Sequence, residues 1–151
     1  MAATKYPFGD RPFVLQCVGN TKFVQVYDKL HDLIADADGI SEKCYFQIVQ
    51  LGTGEHKLLS RTTKTFVSAI SGGPFNPTLQ LFAYTNADEW SRFNMFYDAG
   101  LGQFTFRTSM PKSNAAAPWV HAYGPERRLV VGQYSPDDVW CRFIPYPIQE
   151  N

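Results

Sequence analysis

Aromatic, amide and carboxylate side chains gather in three loops of this 151-residue chain. One loop carries Asp36 and Asp38 beside Gly39, a second reads Tyr84-Thr85-Asn86-Ala87-Asp88, and the third reads Tyr134-Ser135-Pro136-Asp137-Asp138. His121 and Tyr123, followed by Gly124, form a further wall in the last third of the chain. By repeat position they match Ser71-Gly72 and Tyr27-Asp28 earlier on. A flat ring beside groups that donate and accept hydrogen bonds suits a neutral sugar: the ring covers its apolar face and the polar groups meet its vicinal hydroxyls. The same residue types also serve turns, because Asn, Asp and Gly tolerate unusual backbone angles and Asn and Asp bond to their own backbone. Both readings stand on these residues.

Catalytic chemistry has little to work with. His31, His56 and His121 belong to no nucleophile or metal motif. His31, flanked by Asp28 and Asp32, falls short of four ligands at metal spacing and reads as a solvated loop histidine. Cys17 sits in a strand-like run and reads as a buried thiol, while Cys44 and Cys141 occupy repeat-equivalent places that favour packing. Gly72-Gly73 is too little for a phosphate loop, and no acid pair of glycosidase type stands out. The expectation is a non-enzyme with no cofactor and no metal.

The elements that must hold these loops declare themselves by repetition. Glu42-Lys43-Cys44-Tyr45-Phe46, Glu89-Trp90-Ser91-Arg92-Phe93 and Val139-Trp140-Cys141-Arg142-Phe143 end alike, with Phe46, Phe93 and Phe143 spaced 47 and 50 residues apart. Such an interval marks copies of one short unit, here approximately 12–52, 55–100 and 102–147 within a single domain spanning 1–151. Each unit holds four apolar runs of about four to six residues bounded by Gly, Pro, Asn or Asp, the pattern of short strands and turns. One such unit cannot bury its own apolar face; three around a common axis can share a core. Strand alternation puts Cys44, Ser91 and Cys141, all small, on the faces of the three phenylalanines and makes room for them. Trp90 and Trp140, three residues before their phenylalanines, then need a bulge or a second packing layer, and Lys43 makes unit one the irregular copy.

Composition bounds the partners. The length suffices to bury about 68–70% of the unfolded surface without staples, and 15% aromatic residues favour strands. Lys plus Arg and Asp plus Glu number 14 each, with no basic block among the aromatics, so no nucleic-acid partner is expected. The N-terminal decapeptide has no secretory-type apolar core and no run reaches membrane-spanning length. Three cysteines cannot all pair within one chain. A protein made in the cytosol is expected, without membrane insertion, any release following an unconventional route. Phe75, Phe96, Tyr97 and Tyr146 leave room for a homo-oligomer patch.

The Trp-x-Arg-Phe type of ending, with Phe66-Val67-Ser68-Ala69 in unit two, resembles β-trefoil proteins of the fascin-like and ricin-B-like superfamily. The size and N-terminus look like the small β-trefoil lectins of fungal fruiting bodies. The resemblance implies an all-β fold in which six strands form a closed barrel and three hairpins cap one end. It also implies two or three loop sites for galactose or N-acetylgalactosamine on cell-surface or free glycans, drawn from Asp36, Asp38, Tyr84, Asn86, Asp88, His121, Tyr123, Tyr134 and Asp137. The ricin-type glutamine-x-tryptophan signature is missing at all three places: Phe46-Gln47-Ile48, Phe93-Asn94-Met95 and Phe143-Ile144-Pro145 stand there instead. That weakens a ricin-style galactose site and favours a fascin-like strand ending. Two other classes stay open: a protease inhibitor acting through the loop Gly72-Gly73-Pro74-Phe75-Asn76-Pro77, and an actin-binding-like interaction module.

Overall fold

The computed structural model describes residues 11–29, 31–70, 79–85, 91–109 and 118–148. Within them lie twelve strands: β1 (Phe13–Cys17), β2 (Phe23–Val26), β3 (Leu33–Ala37), β4 (Phe46–Gln50), β5 (His56–Ser60), β6 (Thr65–Ile70), β7 (Leu79–Thr85), β8 (Phe93–Asp98), β9 (Gln103–Thr108), β10 (Pro118–Tyr123), β11 (Arg128–Gln133) and β12 (Phe143–Pro147). All pairings are antiparallel. The long ladders run β4–β5, β8–β9 and β12–β1 between units, and β2–β3, β6–β7 and β10–β11 as hairpins within them.

Each anchoring phenylalanine fixes one junction. Phe46 pairs with Phe13, Phe93 with His56 and Phe143 with Phe104, each the only residue pair between its two strands. The expected closed six-stranded barrel with a separate hairpin cap is therefore corrected. All twelve strands belong to one hydrogen-bonded sheet, and they meet as a ring joined at single-residue pairs, not as a barrel of continuous ladders. The hairpins are part of that sheet too, because β11 pairs with β3 through Arg128 and Ile34 and with β7 through Val130 and Val131. The physical reason is strand length: strands of four to seven residues that diverge after one shared pair run out before a second ladder bond forms.

The apolar core fills the ring. Phe13, Phe46, Phe93, Phe104, Phe106 and Phe143 share one buried cluster. Phe104 lies 6.2 Å from Phe13 and 5.6 Å from Phe106, which in turn lies 5.8 Å from Phe143, in tilted contacts that aromatic rings favour. The hairpins lower small pairs onto this floor at matching places: Val24 with Val26, Val67 with Ala69 and Val120 with Ala122. Alternation delivers them, since residues two apart share a strand face.

Cys44, Ser91 and Cys141 are fully buried, but Cys44 packs with Val14 and Ala37 in a cluster apart from that of the phenylalanines. The chain reaches Cys44 and Cys141 by a different route from the expected strand, however. Glu42–Cys44 and Val139–Cys141 are single 3-10 turns, capped by the side chains of Ser41 and Asp138. The turn, and not a bulge, swings Trp140 against the core. Lys43 takes the same position in unit one and pairs instead with Asp28 at 2.9 Å. Units one and three are also tied by the nearly buried Asp32, which accepts from the Arg128 guanidinium.

Truncating a ring phenylalanine removes a fully buried side chain from this shared core. Phe143→Ala is expected to lower the unfolding free energy by roughly 3–5 kcal/mol, whereas Leu101→Ala on the exposed β8–β9 turn shifts it by no more than about 0.5 kcal/mol. Denaturant titration of the two variants checks the contrast.

Candidate binding site

The β10–β11 hairpin builds the densest polar and aromatic group among the described residues. Gly124, at φ +76°, and Arg127, at φ +62°, make the tight turn, closed by the Arg127 N–H donating to the Gly124 carbonyl at 3.1 Å. A positive φ suits glycine better than arginine, and the turns at Thr21, His31 and Lys64 adopt it as well. The Arg127 guanidinium carbon lies 3.4 Å from the centre of the Trp140 ring, and its Nη1 donates to the Ala122 carbonyl at 3.3 Å. The opposite side of Trp140 is closed by Gly19: a methyl group built there would stand 2.5 Å from the indole. Trp140 is thus a slab between a glycine backbone in unit one and a cation in unit three.

His121 and Tyr123 are two apart on β10 and share a face. Tyr134 follows β11 directly, and its ring stacks on His121 at 3.9 Å with an interplanar angle of 14°. Tyr123, 42% exposed, lies 6.3 Å from His121 and 6.4 Å from Tyr134. Asp138 completes the group. Its Oδ1 accepts from the Trp140 N–H at 2.9 Å, and its Oδ2 lies 3.5 Å from His121 Nε2. The His121 Nδ1 is buried without a hydrogen-bond partner. Burial pulls the His121 pKa below its ordinary 6.5 and outweighs the opposing pull of Asp138. Burial likewise pushes the Tyr134 hydroxyl up. The result is a neutral group in which buried His121 and half-buried Tyr134 cover one another and exposed Tyr123 offers its ring, with one carboxylate nearby.

Three of the residues expected from sequence, His121, Tyr123 and Tyr134, therefore come together. Asp137 does not join them: it faces Arg142, with Oδ1 3.2 Å from Nη2. Its neighbour Asp138 takes the inner position, and Arg127 and Trp140 support the group from behind. An aspartate two residues before the Trp140 N–H it caps was the available signal for Asp138; nothing local marks Arg127. In unit one, Asp36 accepts from Gln25 Nε2 at 2.9 Å and from the Tyr27 hydroxyl, while Asp38 pairs with Lys22. The Asp36 bond pushes the Tyr27 pKa to about 12. Tyr27, the counterpart of Tyr123, also lines a cavity of about 260 Å³ with Asp28, His31, Thr62, Thr63 and Thr65. Tyr84 ends up in β7, with only its backbone described. Asn86, Asp88 and the loop 72–77 lie outside the described residues.

The thiols belong to the packing. Cys17, Cys44 and Cys141 are free and buried, and burial pushes Cys141 to about 12. The described residues hold no cluster of three or more His, Cys, Asp or Glu side chains able to bind a metal.

No protein-family model matches the chain, and no curated protein matches it by sequence. Solved structures do. The ricin B-like lectin of Macrolepiota procera, determined in complex with lactose, superposes with a TM-score of 0.73 at 9% identity over 95% of this chain and 100% of that one. ThreeFoil, a designed protein of three-fold symmetry, gives 0.72 at 12% identity over 91% and 99%. A Caenorhabditis elegans protein of unknown function gives 0.78 at 10% identity over 94% and 96%. The fold is β-trefoil-like. At these identities the likeness carries the fold alone.

Two outcomes follow from the geometry. Gly19→Ala forces Trp140 off its seat and is expected to cost about 1–3 kcal/mol of stability, read by thermal unfolding against Gly39→Ala, where nothing lies within 4 Å of the added methyl. Acidification has a definite sign as well. His56 and His121 are both held below their ordinary 6.5 by burial. Below that value the unfolded chain binds protons that the folded chain resists, so stability falls as pH drops from about 6.5 toward the folded values. The melting temperature is expected to decline from about pH 7 to about pH 5, and His56→Gln with His121→Gln to flatten that decline.

Proposed function

We propose that this chain is a carbohydrate-binding protein of lectin type, and that the group around His121, Tyr123, Tyr134 and Asp138 takes a neutral, galactose-type sugar. The observation that carries the reading is the parallel His121–Tyr134 stack with exposed Tyr123 beside it and Asp138 at its edge. The exposed Tyr123 ring suits the C–H face of a pyranose, the stack behind it is neutral, and a carboxylate already fixed by its bond to Trp140 accepts from hydroxyls without further ordering. The likeness in fold to a lectin solved with lactose supports the same reading. Tyr27, Asp28 and His31 form the matching unit-one site, with the threonines of the β5–β6 turn as additional hydroxyl partners. Two weak sites on one small body give avidity toward cell-surface glycans, since the second contact becomes effectively intramolecular.

A glycan array followed by calorimetry tests this. Tyr123→Ala, which removes an exposed ring, is expected to weaken sugar binding by at least about tenfold, or 1.4 kcal/mol, with an unchanged melting temperature. Asp138→Asn retains the cap on the 3-10 turn and is expected to weaken binding by a similar factor. A wild-type protein that binds no sugar on the array or in the calorimeter removes the reading.

A further inference from the structure

A second hollow lies away from the His121 group, where the β8–β9 turn faces the segment leading into β12. It encloses about 380 Å³ and is lined by Phe96, Tyr97 and Asp98 of β8, Gln103 and Thr105 of β9, Leu101 between them, and Pro136, Asp137 and Arg142 opposite. Pockets that hold small molecules run from about 300 to 1,000 Å³. Its rim is set before any ligand arrives. The Asp98 carboxylate accepts from the Gly100 and Leu101 N–H groups at 2.9 and 3.1 Å, and Gly102, at φ +67°, donates to the Asp98 carbonyl at 2.7 Å. Across the gap, Arg142 is held by Nε donating to the Pro136 carbonyl at 3.1 Å and by Nη2 donating to Asp137. Leu101 stands 55% exposed at the rim, and Gln103 keeps its side-chain carbonyl oxygen buried without a partner.

We propose that this hollow is a further ligand site, for a neutral polyhydroxylated molecule of about one sugar residue. The wall decides the class. Arg142 has five N–H donors, of which two are committed to Pro136 and Asp137. Asp98 and Asp137 each keep one carboxylate oxygen without a bond among the described residues. A vicinal diol donates to a carboxylate and accepts from a guanidinium at once, while Tyr97 and Phe96 supply apolar cover. An anionic ligand meets two carboxylates against one guanidinium; a cationic amine satisfies the acids but leaves Arg142 with nothing to donate to. The site joins unit two to unit three and uses none of the residues of the His121 group, so the two assignments stand or fall separately.

Amide-resolved NMR of the full chain tests it, with galactose, glucose and mannose as neutral probes, glucuronate as the acid and glucosamine as the amine. Neutral sugars are expected to shift the amides of Leu101, Gly102, Asp137 and Arg142. Asp137→Ala, at an exposed side chain, removes an acceptor and the pairing of Arg142 Nη2 and is expected to weaken those shifts by at least about tenfold in affinity, while Tyr123→Ala leaves them unchanged. The proposal is overturned if no probe moves these amides, if Asp137→Ala responds like wild type, or if only glucuronate or only glucosamine acts. Shifts confined to the amides around Tyr123 and Asp138 overturn it as well, and leave the reading of the His121 group intact.

Discussion

Three residue pairs, Phe13 with Phe46, His56 with Phe93 and Phe104 with Phe143, hold the ring together, and every other feature is arranged around them. Strands this short gain little from their own ladders. A four-residue β2 or a five-residue β4 is stable only because its inward side chains meet those of the other units. At each junction two strands contribute one residue apiece and then part, which lets the sheet pass continuously from ring to hairpins. The cost is cooperativity of an unforgiving kind, since the large buried cluster draws on all three units at once.

Trp140 connects that core to the surface group. It packs on the buried cluster, receives Arg127 on its face and sits against Gly19, so its position is set by all three. Arg127 lies in the left-handed region, as His31 does at the matching turn of unit one, and the turn it completes fixes the end of the hairpin that carries His121 and Tyr123. Asp138 starts the 3-10 turn that presents Trp140 and also borders His121. A core aromatic and a candidate ligand wall are therefore aligned by the same few contacts. Preorganisation of this sort lowers the ordering cost of binding.

The sequence made some of this legible. The spacing of Phe46, Phe93 and Phe143 was readable because a repeated unit brings one anchor from each copy to a shared core. His121 and Tyr123 share a face of β10 by strand alternation, whereas Tyr134, expected in a separate loop, reaches them only because β11 pairs with β10. The choice between Asp137 and Asp138 was not readable, since adjacent acids diverge and the 3-10 turn selects which one points inward. Nor was the closed barrel a safe extrapolation: a repeat pattern tells how many strands there are, while the length of each ladder depends on where twisted neighbours separate. Asp36 shows the remaining gap. Its partners Gln25 and Tyr27 lie on the neighbouring strand and its end, so the group exists only once β2 and β3 pair in their shifted register.

Pseudo-symmetry explains why the units share a core and differ on the surface. Positions that face the axis are constrained three times over: a change there affects packing against the other two units. Positions on the hairpins and 3-10 turns answer only to local contacts. Lys43 and Trp140 stand at one repeat position, and the first pairs with Asp28 while the second anchors Arg127. Tyr27 and Tyr123 stand at another, and the first bonds to Asp36 while the second is gathered with His121 and Tyr134. A scaffold of this kind holds the backbone nearly constant while each surface group takes up different side chains. Three non-equivalent surfaces on one fold are then the natural state of the chain, and loss of chemistry at one of them leaves the ring, and the other two, in place.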